Sequence, residues 1–210
     1  MNHALRIYIE QNIFPEYEKN DASHQIDHIY NVIERSMFFA HQAGNVNLDM
    51  VYAIAAYHDV KCHVNRDRHE ILSAQALRED KNLRQFFTEQ EIRQMAEAVE
   101  DHRLSLGAEP RSIYGKIVSS ADRNSSIDLV LQRTYNYRLE THTLEDNIRD
   151  SYQYVYDRYK KNTYAEKAMY FFDPVYDAFL KGVDKLMSDR ELFRREFIRA
   201  NGLAEARLVS

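Results

Sequence analysis

The residues that could do chemistry in this chain gather around one dipeptide, His58-Asp59. It follows the apolar run Ala53-Ile54-Ala55-Ala56-Tyr57, so two good metal ligands arrive at the edge of what reads as a buried helix. Burying an imidazole and a carboxylate is costly unless a metal or hydrogen-bond partners satisfy them. His69-Glu70 comes next, after a polar run from Lys61 to Arg68. A second apolar stretch, with Ile113, Ile117, Val118 and Ala121, ends in Asp122-Arg123-Asn124. His28 and His102 also fall at or near the ends of expected helices. Of the nine histidines, His3, His24, His41 and His142 sit in polar or terminal surroundings and read as solvated, and His63 reads as a loop residue. Any one of the other four would ordinarily be satisfied by backbone or a carboxylate. Together with Asp59 and Asp122 they point to a mixed imidazole and carboxylate site, a donor set that suits Mn, Fe, Co, Ni or Zn. A divalent ion held this way lowers the pKa of water and polarises a phosphoryl oxygen.

Other common chemistries find no footing. The phosphate-loop, dinucleotide-fingerprint and nucleophile-elbow patterns are all absent. The single Cys62 excludes an internal disulfide framework, reads as structural, and fits a reducing cytoplasm. A net charge of -5 argues against a general polyanion-binding surface, so no polymeric nucleic acid is expected. The first ten residues lack the continuous apolar core of a signal peptide, and no apolar run approaches bilayer length, so no membrane partner is expected.

The elements that must position these groups are helices. With 5 Gly and 3 Pro in 210 residues, turn chemistry is sparse and long runs of good helix formers lie between the breaks, which predicts an all-α fold. One amphipathic helix is expected over residues 1–19, followed by a turn at Asn20 to Ser23 that offers N-caps. A second helix is expected over 24–43, carrying His28 beside Ile29 and Val32 and closed by Gly44-Asn45. Asn47 can cap a third, from Leu48 to Asp59, apolar on nearly every side and therefore central. A helix from His69 to Glu79 or Asp80 and another capped by Thr88, with Glu91 completing a capping box, follow. After a loop from Leu104 to Pro110, a helix beginning near Ser112 leads to Asp122, with Asp128 one to two turns later. Beyond about residue 134 tyrosines crowd the chain, and 143–161 and 174–199 read as helices. Lacking a Pro-, Gly- or Ser-rich linker, residues 131–210 are expected to be a helical extension packed on the same domain. Tyr152, Tyr156 and Tyr159 keep a helical spacing that suits packing better than base stacking.

The ordered set His28, Ala55-Ala56-Tyr57-His58-Asp59 and Ser120-Ala121-Asp122-Arg123 resembles the HD-domain superfamily of metal-dependent phosphohydrolases over roughly residues 22–130. The resemblance is to small stand-alone bacterial HD proteins. It implies that His28, His58, Asp59 and Asp122 hold one divalent ion, Mn, Fe, Co, Ni, Zn or Mg. His69 and His102 resemble later histidines that bind a second ion in some members and contact phosphate or the attacking water in others. Glu70 or Asp67 could position or deprotonate that water. For Asp67 a solvated loop carboxylate is an equal reading. Lys61, Arg66 and Arg123 are candidate contacts to substrate phosphate, with Arg68 and Arg133 behind them. Surface ion pairing is the competing reading for each arginine, and an exposed loop lysine is the safer reading of Lys61.

The Glu-Asp pair of the alarmone hydrolases and the Gly-Tyr-Pro signature of the cyclic-dinucleotide branch are missing. Val60-Lys61 also stand where many members have a glycine soon after the HD pair. The resemblance therefore implies a reaction class, hydrolysis of a small nucleotide or another phosphate ester or anhydride, without one substrate. The alternatives are a non-catalytic HD module that binds a nucleotide or partner protein, and an interaction protein that uses residues 134–210 as its surface. Retention of all four ligand positions favours the enzyme.

Overall fold

A computed structural model describes residues 1–20, 26–103, 107–123, 125–161 and 169–203. These residues are all-α: ten α-helices and short 3-10 and π segments, with no strand among them. They fall into two compact units, Met1–Asp122 and Arg123–Ser210. Among the described residues no helix is long and apolar enough to cross a membrane.

The first unit holds α1 (His3–Asn12), a 3-10 turn (Phe14–Lys19), α2 (Ile26–Ala43), α3 (Leu48–Tyr57), α4 (His69–Glu79), a 3-10 turn (Lys81–Gln85), α5 (Glu89–Asp101) and α6 (Ile113–Ala121). Its axis is α3, which packs on α1, α2, α4, α5 and α6. Every residue from Met50 to Tyr57 is buried, as a helix apolar on all sides requires. Ala53, Ala55 and Ala56 keep that helix slim, so its neighbours approach closely and the ends of α3, α5 and α6 can be drawn together. The Asn47 side chain accepts from Asp49 N and Met50 N, and Thr88 with Glu91 completes the capping box. Gly44 takes φ +79 after α2, a left-handed turn that favours glycine.

The amphipathic stretch expected as one helix over 1–19 divides at Pro15. Proline lacks an N–H and its ring crowds the carbonyl four residues earlier, so α1 stops and a 3-10 turn carries the chain on. Asn20 is buried and closes the 3-10 turn as its C-cap, its N–H donating to Tyr17 O (3.0 Å). The rest of the expected turn, Asp21 to Ser23, and His24 lie outside the described residues, and α2 is described from Ile26. The helix expected to reach Asp59 ends two residues earlier, at Tyr57, with His58 as the C-cap of α3. Leu104, Ser105 and Leu106 of the expected loop also lie outside the described residues.

The second unit holds α7 (Ile127–Arg138), α8 (Leu144–Val155), a π-helical turn (Tyr156–Lys161), α9 (Pro174–Met187) and α10 (Arg190–Ala200). Its core joins Leu131, Val155, Tyr176, Phe179, Val183, Phe193 and Phe197. Part of the tyrosine-rich sequence is thus packing: Tyr152 meets Phe193 and Tyr159 meets Phe179 edge to face, whereas Tyr156, expected to pack with them, is exposed. The single helix expected over 174–199 is two. Ser188 Oγ donates to Lys185 O (2.7 Å) and the Asp189 carboxylate accepts from Glu191 N (2.8 Å), so one helix ends and the next is capped within two residues.

Candidate metal centre

Helix ends carry the site. His58 caps α3 and Asp59 follows it; Asp122 caps α6; His102 caps α5; His69 opens α4; His28 lies in the first turn of α2. A residue at a helix end can aim its side chain past the helix while the helix itself stays packed. Five such ends around α3 therefore deliver six side chains to one place.

Two groups form. His28, His58, Asp59 and Asp122 each bring one ligand atom to within 4.8 Å of the others, and Asp59, His69 and His102 do the same. Asp59 belongs to both. Its Oδ2 is 3.6 Å from His28 Nε2 and 3.4 Å from His58 Nε2, and its Oδ1 is 3.0 Å from His69 Nε2 and 3.5 Å from His102 Nε2. Asp122 Oδ1 is 3.2 Å from His28 Nε2 and 3.7 Å from His58 Nε2.

Three of the imidazoles are held the same way. His58 Nδ1 meets Ala55 O at 2.8 Å, His69 Nδ1 meets Arg66 O at 2.7 Å, and His102 Nδ1 meets Val99 O at 2.6 Å. A carbonyl can only accept, so each Nδ1 carries a proton and donates it. In the neutral ring Nε2 is then a bare lone pair. All three lone pairs face carboxylate oxygens and a neighbouring imidazole: His69 Nε2 and His102 Nε2 are 3.2 Å apart, and His58 Nε2 and His28 Nε2 are 3.3 Å apart. Asp59 Oδ1 is buried and accepts no well-formed hydrogen bond even though His69 Nε2 is 3.0 Å away. Acceptors crowded on acceptors need either extra protons or a cation between them. The donor set of imidazole nitrogen and carboxylate oxygen fits a divalent metal, and backbone carbonyls orient the rings from behind as such ligands require.

The electrostatics agree. Burial opposes the charged form of His58, yet Asp59 and Asp122 outweigh it and hold its pKa well above the ordinary imidazole value. His28 and His69 are likewise raised: burial works against them, and carboxylates, Asp122 and Asp59 for His28 and Asp59 for His69, prevail. Burial would raise Asp59, but His58, His102 and His28 pull it well below the carboxylate range; Asp122 is lowered against its burial by His28 and His58. Without a metal the cluster traps protons that a divalent ion can displace. His58, Asp59 and His102 form the floor, with side chains 0%, 4% and 1% exposed, whereas His28 at 20% and Asp122 at 26% form the rim open to solvent.

The HD domain family model matches residues 26–126. Residues 26–126 carry an HD domain, which supports membership of the HD-domain superfamily. Among curated proteins and among solved structures, nothing matches it. The HD segment contains all six side chains of the cluster, and the HD fold and a His/Asp cluster able to hold a divalent ion are features of metal-dependent HD phosphohydrolases.

The remaining residues singled out in the HD sequence are placed differently. Glu70 is buried, with Oε2 3.5 Å from His69 Nδ1 and 3.4 Å from an Arg103 nitrogen. It stands on the Nδ1 side of His69, opposite the edge that faces Asp59. Asp67 and Arg66 are exposed, and neither belongs to a ligand group; Arg66 contributes its carbonyl to His69. Lys61 is paired with Glu16 at 3.2 Å. Arg123 lies in the second unit, its guanidinium carbon 5.1 Å from the centre of the Tyr176 ring.

Other supports were not read from the sequence. The fully buried Tyr17 donates its hydroxyl to Ala56 O (2.8 Å) and accepts from Asp59 N (3.2 Å). Asn20 Nδ2 donates to Asp59 O (3.1 Å), while its Oδ1 accepts from His63 N (2.8 Å). Together they fix the backbone on which His58 and Asp59 ride. Their partners lie some forty residues away in sequence, and no local spacing announces them.

Proposed function

We propose that this HD protein is a metal-dependent phosphohydrolase acting on a small nucleotide or another phosphate ester or anhydride. The observation that carries the reading is the trio His58, His69 and His102. Each spends its Nδ1 proton on a backbone carbonyl and turns its Nε2 toward Asp59.

His28, His58, Asp59 and Asp122 would hold one ion, and Asp59, His69 and His102 supply donors for a second. A divalent ion there supplies Lewis-acid chemistry, lowering the pKa of water and polarising a phosphoryl oxygen. The protein's part is geometric and electrostatic. Carbonyls lock the ring tautomers, the buried floor keeps bulk water from the ligand atoms, and the rim at His28 and Asp122 admits the phosphate. Imidazole with carboxylate suits Mn, Fe, Co, Ni or Zn, and Mg remains within the range the superfamily uses.

The test is elemental analysis of protein purified without chelator or tag metal, then a hydrolysis screen. Nucleotides, dinucleotides and sugar phosphates would be tried with Mn, Co, Ni, Mg and Zn. The expected result is about one or two ions per chain and metal-dependent phosphate release that Asp59→Asn abolishes. A folded, metal-free protein that takes up none of these ions would overturn the metal centre. Turnover that survives in Asp59→Asn would overturn the mechanism.

A further inference from the structure

We propose that Arg35 and Arg103 are positioning residues, each holding one half of the ligand set. Arg35 fixes the helix of His28 against the end that carries Asp122, and Arg103 fixes the ends that carry His69 and His102. The inference rests on the metal-centre reading and adds a division of labour within it.

Arg35 lies on α2 about two helical turns beyond His28. Its Nε donates to Ala121 O (3.1 Å) and its Nη2 to Ser120 O (3.3 Å). These are carbonyls of the last turn of α6, where a helix leaves acceptors unpaired and its dipole favours a cation. Asp122 is the next residue. One guanidinium thus bolts α2 to the C-terminus of α6, and the two ligand atoms these helices present, His28 Nε2 and Asp122 Oδ1, stand 3.2 Å apart. The planar fork matters, because two carbonyls are gripped at once. A flexible ammonium has donors enough but no rigid fork to aim two of them at once.

Arg103 does the corresponding work elsewhere. It follows His102 at the end of α5, and its Nη1 donates to Asp67 O (2.7 Å) and lies 3.4 Å from Glu70 Oε2. Asp67 belongs to the turn before α4, and Glu70 adjoins His69 at the start of that helix. The guanidinium therefore ties the end of α5 to the beginning of α4, where His102 Nε2 and His69 Nε2 stand 3.2 Å apart. Glu70 becomes intelligible in this frame: a buried carboxylate that meets Arg103 on one side and the Nδ1 edge of His69 on the other. The bonds that tie these arginines run to backbone carbonyls and, for Arg103, also to Glu70.

The test is calorimetric titration of Co(II) into metal-free protein, with the visible absorption of bound cobalt recorded alongside. Asp122→Asn and His102→Gln mark which binding phase belongs to which group. Arg35→Gln is expected to weaken the phase that Asp122→Asn removes by about 10–100-fold, as loss of outer partners of metal ligands does, and to leave the other phase and its cobalt spectrum unchanged. Arg103→Gln is expected to do the converse. Arg35→Lys and Arg103→Lys guard against loss of the fold and should restore each phase in part, with circular dichroism reporting that the helices persist. Folded variants in which either arginine weakens both phases equally, or in which neither changes anything, would overturn the proposal. Should the wild type bind one ion only, Arg35→Gln alone must weaken it; equal weakening by Arg103→Gln overturns the division. Wild-type protein that binds no ion overturns the metal-centre reading itself, and is seen before any variant is made.

Discussion

Asp59 Oδ1 and His69 Nε2 lie 3.0 Å apart, and because the Nδ1 proton of His69 is committed to Arg66 O on the far side, the neutral ring turns a lone pair toward the carboxylate. That contact is repulsive in the neutral state and is relieved by protonation or by a cation. Metal removal should therefore be felt in stability as well as activity. At a free metal concentration 100 times the dissociation constant, binding contributes about 2.7 kcal/mol. For a chain of this size that corresponds to roughly 5–10 °C in the melting temperature. Differential scanning calorimetry with EDTA, then with excess Mn, is expected to show a drop and a recovery of this order. An identical melting curve in both conditions would count against a resident ion.

The same cluster sets a pH dependence whose sign reverses with metal. In the metal-free fold the pKa values of His28, His58 and His69 are raised, so the folded state binds their protons more tightly than the unfolded chain does. Their stabilisation is complete below the unfolded imidazole value of about 6.5 and is lost as pH rises through the higher folded values. Asp59 and Asp122 are depressed, so theirs is present above the unfolded carboxylate value of about 3.9 and is lost as pH falls toward the folded values. A divalent ion takes the place of the imidazole protons, so metal binding releases protons and tightens as pH rises. Urea midpoints followed upward from about pH 6.5 should fall with rising pH in EDTA, while the gap between metal-loaded and metal-free protein widens. Parallel curves with and without metal would contradict the arrangement.

The HD segment was unusually readable because its ligands sit at helix ends that advertise themselves. Apolar α3 stops at His58-Asp59, Thr88 and Glu91 mark the start of the helix that ends at His102, and Ser112 caps the one that ends at Asp122. Helix caps and apolar periodicity are local, so a sequence displays them. What holds the ligands is not local. Arg35 reaches Ser120 and Ala121, and Tyr17 reaches Ala56 and Asp59, across separations that no spacing rule encodes. Glu70 shows a finer limit: sequence puts it beside His69, but which edge of the ring it meets depends on how the α4 N-terminus docks on α5. In the second unit, Ser188 and Asp189 break an otherwise helical pattern by side-chain bonding to backbone, a competition that composition alone leaves undecided.

The placement of Glu70 and Asp67 separates their roles. Asp67 is exposed, and its backbone carbonyl rather than its carboxylate meets Arg103. Asp67→Asn should leave kcat/KM and metal content unchanged. Glu70→Gln keeps the shape but removes the charge that faces Arg103 and the Nδ1 edge of His69. It should weaken metal at the His69 and His102 group by about 10–100-fold, with kcat recovering at saturating metal. Steady-state kinetics across a metal titration distinguish this from a general base, for which kcat would stay low however much metal is added.

Tyr17 offers the sharpest link between core and site. Its hydroxyl is fully buried and bridges Ala56 O and Asp59 N, so Tyr17→Phe removes one oxygen and strands two backbone groups. A buried group left unsatisfied costs about 1–3 kcal/mol, and the phenyl ring keeps the packing, so the loss reads the hydrogen bonds alone. Because Asp59 N is one of the two, the damage falls on the residue shared by both ligand groups. Urea denaturation of Tyr17→Phe is expected to show that loss, and Co(II) titration should show both binding phases weakened together. A stability loss with metal affinity intact would mean that Asp59 is held by its own ligand contacts and by Asn20, and that the tyrosine serves the core only.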